Sequence, residues 1–131
     1  MRMFAAKQYD TMDSLIGPAA RIDGNVLFRG GLRIDGQVRG NVSAEAGQGS
    51  YLVISEHARI EGEVRCDHLI VNGEIRGGVY CAELLEIQPK ARIFGDVRYK
   101  ILEMHGGAQV LGRLSHHDSS EAAPHLAVAG A

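Results

Sequence analysis

Seven residues are written nearly four times over in this chain: ARIDGNV at 20–26, ARIEGEV at 58–64, ARIFGDV at 91–97 and AQVLGRL at 108–114. Relaxed to I-x-G-x-V, the unit occurs six times. Its first apolar position falls at Ile22, Val38, Ile60, Ile75, Ile93 and Val110, in steps of 16, 22, 15, 18 and 17 residues. Two places on stands a glycine each time (Gly24, Gly40, Gly62, Gly77, Gly95, Gly112), and two further on a branched aliphatic (Val26, Val42, Val64, Val79, Val97, Leu114). A repeat at this period constrains the fold before any other property does, because one unit is too short to bury its apolar face and must stack on its neighbours.

A second unit, L-x-[IVM], lies between the first: Leu32/Ile34, Leu52/Ile54, Leu69/Val71, Leu85/Ile87 and Leu102/Met104, with Ile16 as a partial first member. The uneven steps come from the corners. One residue separates Ile34 from Gly36 and Val71 from Gly73. Three fill the corner at Gly17-Pro18-Ala19, Ser55-Glu56-His57, Gln88-Pro89-Lys90 and His105-Gly106-Gly107. The one long step contains a loop from Ser43 to Tyr51. Glycine and proline sit where turn chemistry needs them.

Apolar and polar residues alternate within each unit, which is the strand period, and no stretch keeps a helical one. The pattern predicts an all-β solenoid: a parallel β-helix of about six three-faced turns over residues 14–114, stacked about 4.8 Å apart. Right-handedness is expected from the preference of parallel crossovers. Residues 1–13 read as a flexible N-terminal segment and residues 115–131, rich in Ala, Ser and His, as a disordered tail.

The residue after each first apolar position should point outward: Asp23, Arg39, Glu61, Arg76, Phe94, Leu111. The first four alternate in sign, so neighbours attract and hold the register. The last two are apolar, which makes Phe94 and Leu111 a candidate lateral contact.

The repeated RIDGNV, RIDGQVRGNV and RIEGEV, with L-x-I between, resemble the bactofilin family of bacterial cytoskeletal proteins over about residues 14–114. The resemblance implies a right-handed triangular β-helix of six windings. It also implies nucleotide-independent, end-to-end assembly into non-polar filaments at the inner face of the cytoplasmic membrane. Scaffolding of cell shape and local cell-wall synthesis, with morphogenetic client proteins, is implied as well. The N-terminal MRMFAAK, with Met1, Arg2, Met3, Phe4 and Lys7, resembles the family's short membrane-targeting segment.

Assembly has a physical rationale of its own. Open ends of a solenoid leave backbone groups and apolar columns unpaired unless something caps them. The sequence offers no amphipathic capping helix, so the expected end contacts are Leu15 and Ile16 at one end and Val110, Leu111 and Leu114 at the other. The alternative is that the terminal segments fold back as caps.

Other chemistries find little support. A net charge of −2, with 14 basic against 16 acidic residues, argues against a nucleic-acid partner. Aromatics are 5 % and tryptophan is absent, which leaves little to wall a large pocket. No G-x-x-x-x-G-K-[ST] loop suggests a nucleotide, and no nucleophile–base pair is recognisable, so neither cofactor nor catalysis is expected. The six histidines, His57, His68, His105, His116, His117 and His125, show no ligand spacing along the chain, and no metal is expected. Cys66 and Cys81 should stack as neighbours on adjacent turns. Without a secretory signal or a 20-residue apolar run, a cytosolic chain with reduced thiols is the expectation. A hexapeptide-repeat enzyme is disfavoured because the apolar steps from Ile60 run 4, 5, 2 and 4, not 6. A non-polymerising adaptor that binds a protein through its faces stays open as the alternative function.

Overall fold

A computed structural model describes residues 12–46 and 49–117 of the chain. Sixteen strands, and no helix among the described residues, wind into six stacked turns. The first two windings are β1 (Ser14–Ile16), β2 (Arg21–Asp23), β3 (Val26–Phe28), β4 (Gly31–Ile34), β5 (Gln37–Arg39) and β6 (Val42–Ala44). The third begins with β7 (Tyr51–Ile54) and β8 (Arg59–Glu61), and β9 (Val64–Val71) carries the chain round a corner into the fourth. After β10 (Glu74–Arg76), β11 (Val79–Ile87) does the same into the fifth, followed by β12 (Arg92–Phe94) and β13 (Val97–Tyr99). The sixth winding is β14 (Ile101–Met104), β15 (Gln109–Leu111) and β16 (Leu114–His116).

All pairings are parallel and join equivalent positions one winding apart. The I-x-G strands form one six-stranded face, in the order β2, β5, β8, β10, β12, β15. The other two faces merge into one sheet because β9 and β11 each span a corner. The six repeats, their phase and the three faces per winding are as the sequence predicts.

Three aliphatic columns fill the interior. Ile34, Ile54, Val71 and Ile87 come from one face, Val38, Ile60, Ile75 and Ile93 from the second, and Val42, Val64, Val79 and Val97 from the third; all are buried. Each such side chain contributes roughly 1.5–3 kcal/mol relative to exposure. Cys66 and Cys81 continue this interior as paired, buried, free thiols. The Cys81 thiol beside it, together with burial, pushes the Cys66 thiol well above its ordinary value, so the pair behaves as small apolar filling.

The corners follow the residue counts. At each three-residue corner the amide after the corner donates back across it: Ala20 to Gly17, Ala58 to Ser55, Ala91 to Gln88 and Ala108 to His105, at 3.0–3.3 Å. The two one-residue corners lie tighter against the winding below. A Cβ on Gly36 would sit 2.3 Å from the Gly17 carbonyl oxygen, and one on Gly73 2.3 Å from that of Ser55. Alanine at the wider corners therefore becomes glycine at the narrow ones.

The glycine column has a second cause. Gly77 has φ +155°, and a Cβ there would lie 2.2 Å from the Gly62 carbonyl oxygen. The same approach recurs from Gly40 upward, since each glycine rests on the carbonyl of the glycine beneath. Beside the column Asn25 Oδ1 accepts the Asn41 amide, and Asn41 Oδ1 accepts that of Glu63. These side chains satisfy corner amides that the strand ladder does not reach.

Residues 115–117, expected in a disordered tail, belong to the described solenoid. Ser115 and His116 continue β16 beside β13, and His117 is buried. Its amide donates to the Tyr99 carbonyl, its ring stacks on Tyr80 at 5.0 Å, and its Nε2 lies 3.1 Å from the Cys81 carbonyl. The expected loose His116-His117 pair is thus part of the solenoid wall, because the alternation of β16 turns His117 onto an aromatic neighbour. Asp13, expected in the flexible segment, pairs with Gly31 through both its amide and its carboxylate.

Candidate assembly surfaces

The flank of the I-x-G face carries two outward ladders, one on each side of its apolar column. The first is the expected one: Asp23, Arg39, Glu61, Arg76, Phe94 and Leu111 are successive register partners. Arg39 lies 3.9 Å from both Asp23 and Glu61. Such exposed pairs stabilise by well under 1 kcal/mol each, and their value is in fixing register. The second ladder, through Arg59, Glu74 and Arg92, was not singled out from the sequence. Glu74 is buried and binds three guanidinium groups: Arg76, Arg92 at 2.8 Å and Arg59 at 3.5 Å. Burial pushes its carboxyl up, but the hydrogen bond from Arg76 and the charges of Arg76, Arg59 and Arg92 outweigh it and hold the group below its ordinary value. The alternation of Arg59, Glu74 and Arg92 at equivalent positions was the signal available.

At Phe94 the ladder changes character gradually. Arg76 lies over the Phe94 ring at 5.0 Å from its centre, so the ring is half covered by a cation from below. Leu111, its partner above, is 59 % exposed. The two expected lateral-contact residues are therefore adjacent, and only Leu111 is fully presented.

The two ends are the second surface. At the C-terminal end the three interior columns finish on Met104, Val110 and Leu114, one from each face. Met104 is 43 % exposed and Leu114 42 %, while the residues one winding below, Ile87, Ile93 and Val97, are fully buried. Among the described residues nothing lies over this end, and the His117 ring packs on the flank against Tyr80. At the N-terminal end Ile16, Ile22 and Val26 are half-buried, packing on the core from one side only. Leu15 and Leu111, both expected at end contacts, point out of side faces at the rims, in register with Arg33 and Phe94. Leu27, Ile101 and Met104 are further exposed apolar residues that were not among the expected contacts. Met104 could have been found as the last inward member of the L-x-I column. Met1, Arg2, Met3, Phe4 and Lys7 lie outside the described residues. Among the described residues no helix is long and apolar enough to cross a membrane.

Comparison with known proteins gives one consistent result. The family model "Bactofilin: Polymer-forming cytoskeletal" matches residues 14–115. Two curated Myxococcus xanthus proteins are similar to the chain. Bactofilin BacO is 22 % identical over 102 residues, covering 78 % of each chain. Bactofilin BacP is 24 % identical over 106 residues, covering 81 % of this chain but 42 % of BacP, so the chain spans less than half of that relative's length. A cryo-EM reconstruction of Thermus thermophilus bactofilin double helical filaments superimposes with a TM-score of 0.65 at 27 % identity, covering 79 % of this chain and 99 % of the other. Six phased windings around an aliphatic core and a family match across nearly all of the solenoid agree: the chain belongs to the bactofilin family of polymer-forming cytoskeletal proteins.

Proposed function

We propose that this chain is a structural subunit that assembles end to end, without nucleotide, into filaments. The observation that carries this reading is the C-terminal end, where Met104, Val110 and Leu114 close three apolar columns with no winding above them among the described residues. A second copy meeting that end with its own would bury all three columns twice over. Contacts of like with like, C-terminal end to C-terminal end and N-terminal end to N-terminal end, are isologous and give a filament without polarity. The filamentous state of the Thermus thermophilus relative supports the same reading. Phe94 and Leu111 are the proposed lateral contact.

The proposal extends to location. Met1, Arg2, Met3, Phe4 and Lys7 form a short apolar and basic segment suited to the inner face of the cytoplasmic membrane. One copy would bind weakly, and a filament carrying many copies gains avidity. In that place the polymer would organise cell shape or local cell-wall synthesis through client proteins.

Negative-stain electron microscopy of the purified chain without nucleotide tests the assembly. Filaments are expected, and Leu114→Arg should abolish them while leaving the β-sheet circular dichroism unchanged. Filaments that persist in this variant would remove the C-terminal end from the contact. Discrete particles from the unmodified chain at every salt and protein concentration would favour a capped, non-polymerising adaptor. For the membrane, Phe4→Ser should release the protein from anionic liposomes in flotation; unchanged flotation would refute the anchor.

A further inference from the structure

The face that carries β4, β7 and β14 has its own outward column: Arg33, Val53, Ile70, Glu86 and Glu103 are successive register partners. It becomes acidic only at its last two members, where Glu86 and Glu103 lie side by side on paired strands. Like charges in this position repel. Among the described residues neither glutamate has a lysine or arginine within ion-pair distance. What approaches is an imidazole: His105 Nε2 lies 3.2 Å from Glu86 Oε2. One ligand atom from each of Glu86, Glu103 and His105 falls within 4.8 Å of the others.

We propose that Glu86, Glu103 and His105 form a binding site for a first-row divalent transition-metal ion, which ties the last winding to the one beneath it. Two carboxylates and an imidazole suit Zn²⁺, Co²⁺ or Mn²⁺, whereas Mg²⁺ and Ca²⁺ take oxygen ligands. In a tetrahedral zinc site the ligand atoms stand about 3.3 Å apart. The Glu86–His105 pair is at that separation already. Glu103, an exposed side chain, has to close by at most about 1.5 Å to complete the set. Gln88 Nε2 donates to Glu86 Oε2 at 2.8 Å and steadies that carboxylate, as hydrogen bonds to metal ligands commonly do. The ligands belong to neighbouring windings, Glu86 to the fifth and Glu103 and His105 to the sixth. Spacing along the chain therefore hid them, and the metal site that the sequence did not lead us to expect appears only when the windings stack. A bound cation would relieve the repulsion between the glutamates and oppose fraying of the last described winding.

The test is a Zn²⁺ titration of the full chain by calorimetry, with Co²⁺ absorption as a check on the ligand field. One saturable site per chain is expected. His105→Ala and Glu103→Gln should each lower the affinity about tenfold or more, while His57→Ala, in a corner of another winding, should leave it unchanged. At free Zn²⁺ about 100 times the Kd, amide exchange in β14 should slow roughly 100-fold at matched assembly state. All three residues are at the surface, so circular dichroism should show the variants folded. Absence of saturation below about 1 mM, or affinity unaltered in His105→Ala or Glu103→Gln, would overturn the site. Binding at these residues with unchanged exchange in β14 would overturn the tie between windings.

Discussion

In the fourth winding Ile75, Gly77 and Val79 meet a winding on either side; in the sixth, Val110, Gly112 and Leu114 meet, among the described residues, only the fifth. The local sequences are nearly alike, and Val79 is 3 % exposed where its counterpart Leu114 is 42 % exposed. The same letters thus have two energetic values, set by stacking and not by the unit itself. The first winding differs in a third way. A Cβ on Gly24 would meet no atom within 4 Å, whereas one on Gly77 would strike a backbone oxygen. Steric demand is passed upward from winding to winding, and the first glycine answers only to its own backbone, at φ +137°.

The comparison can be broken most sharply through the glycines. Gly77→Ala combines backbone strain with a clash against backbone and should cost roughly 2–6 kcal/mol. Gly24→Ala should cost only the strain, about 1–3 kcal/mol. Equal losses in urea denaturation would contradict the stacking account. Next come the aliphatic columns. Ile60→Ala should destabilise by about 2–5 kcal/mol, and Val110→Ala in the non-assembling Leu114→Arg background by about 1 kcal/mol. If Val110→Ala costs as much as Ile60→Ala there, the C-terminal end is covered.

Glu74→Gln should cost about 1.5–3 kcal/mol at pH 7, since it replaces the carboxylate shared by Arg59, Arg76 and Arg92 with a neutral amide that keeps one acceptor oxygen. Because the carboxyl is held below its ordinary value, this stabilisation is in full above about pH 4.3. It is lost as pH falls through the folded-state value. The gap in thermal midpoint between the native chain and Glu74→Gln should therefore close on acidification from pH 5 to about pH 3; a gap that widened there would reverse the assigned sign. The smallest effect belongs to the exposed ladder: Arg39→Gln, with two partners at 3.9 Å, should shift stability by about 0.5 kcal/mol or less in 0.15 M salt.

The windings were legible because each obeys a local rule that repeats. Ile22 to Val110, the glycines two places on, and even the corner lengths at Asp35 and Asn72 are visible in one dimension. The links between windings were legible only where equivalent positions were compared, as with Asp23, Arg39 and Glu61. Glu74 and Glu86 were missed because their partners lie one winding away at positions that the repeat leaves variable. His117 was missed for a different reason. It follows the last unit, where composition suggests a tail, and its burial depends on Tyr80, two windings below.

The position of His117 on the flank has an architectural consequence. The His117 and Tyr80 rings lie against each other on a side face and not on the end, so they would stay outside a stacked contact. In a stacked assembly each subunit would occupy roughly 29 Å of length, from six windings at the parallel-strand spacing. With like ends meeting, equivalent points on the flank recur every two subunits, roughly 58 Å apart. Whatever binds that flank would be displayed at a fixed repeat, with the number of copies set by filament length alone.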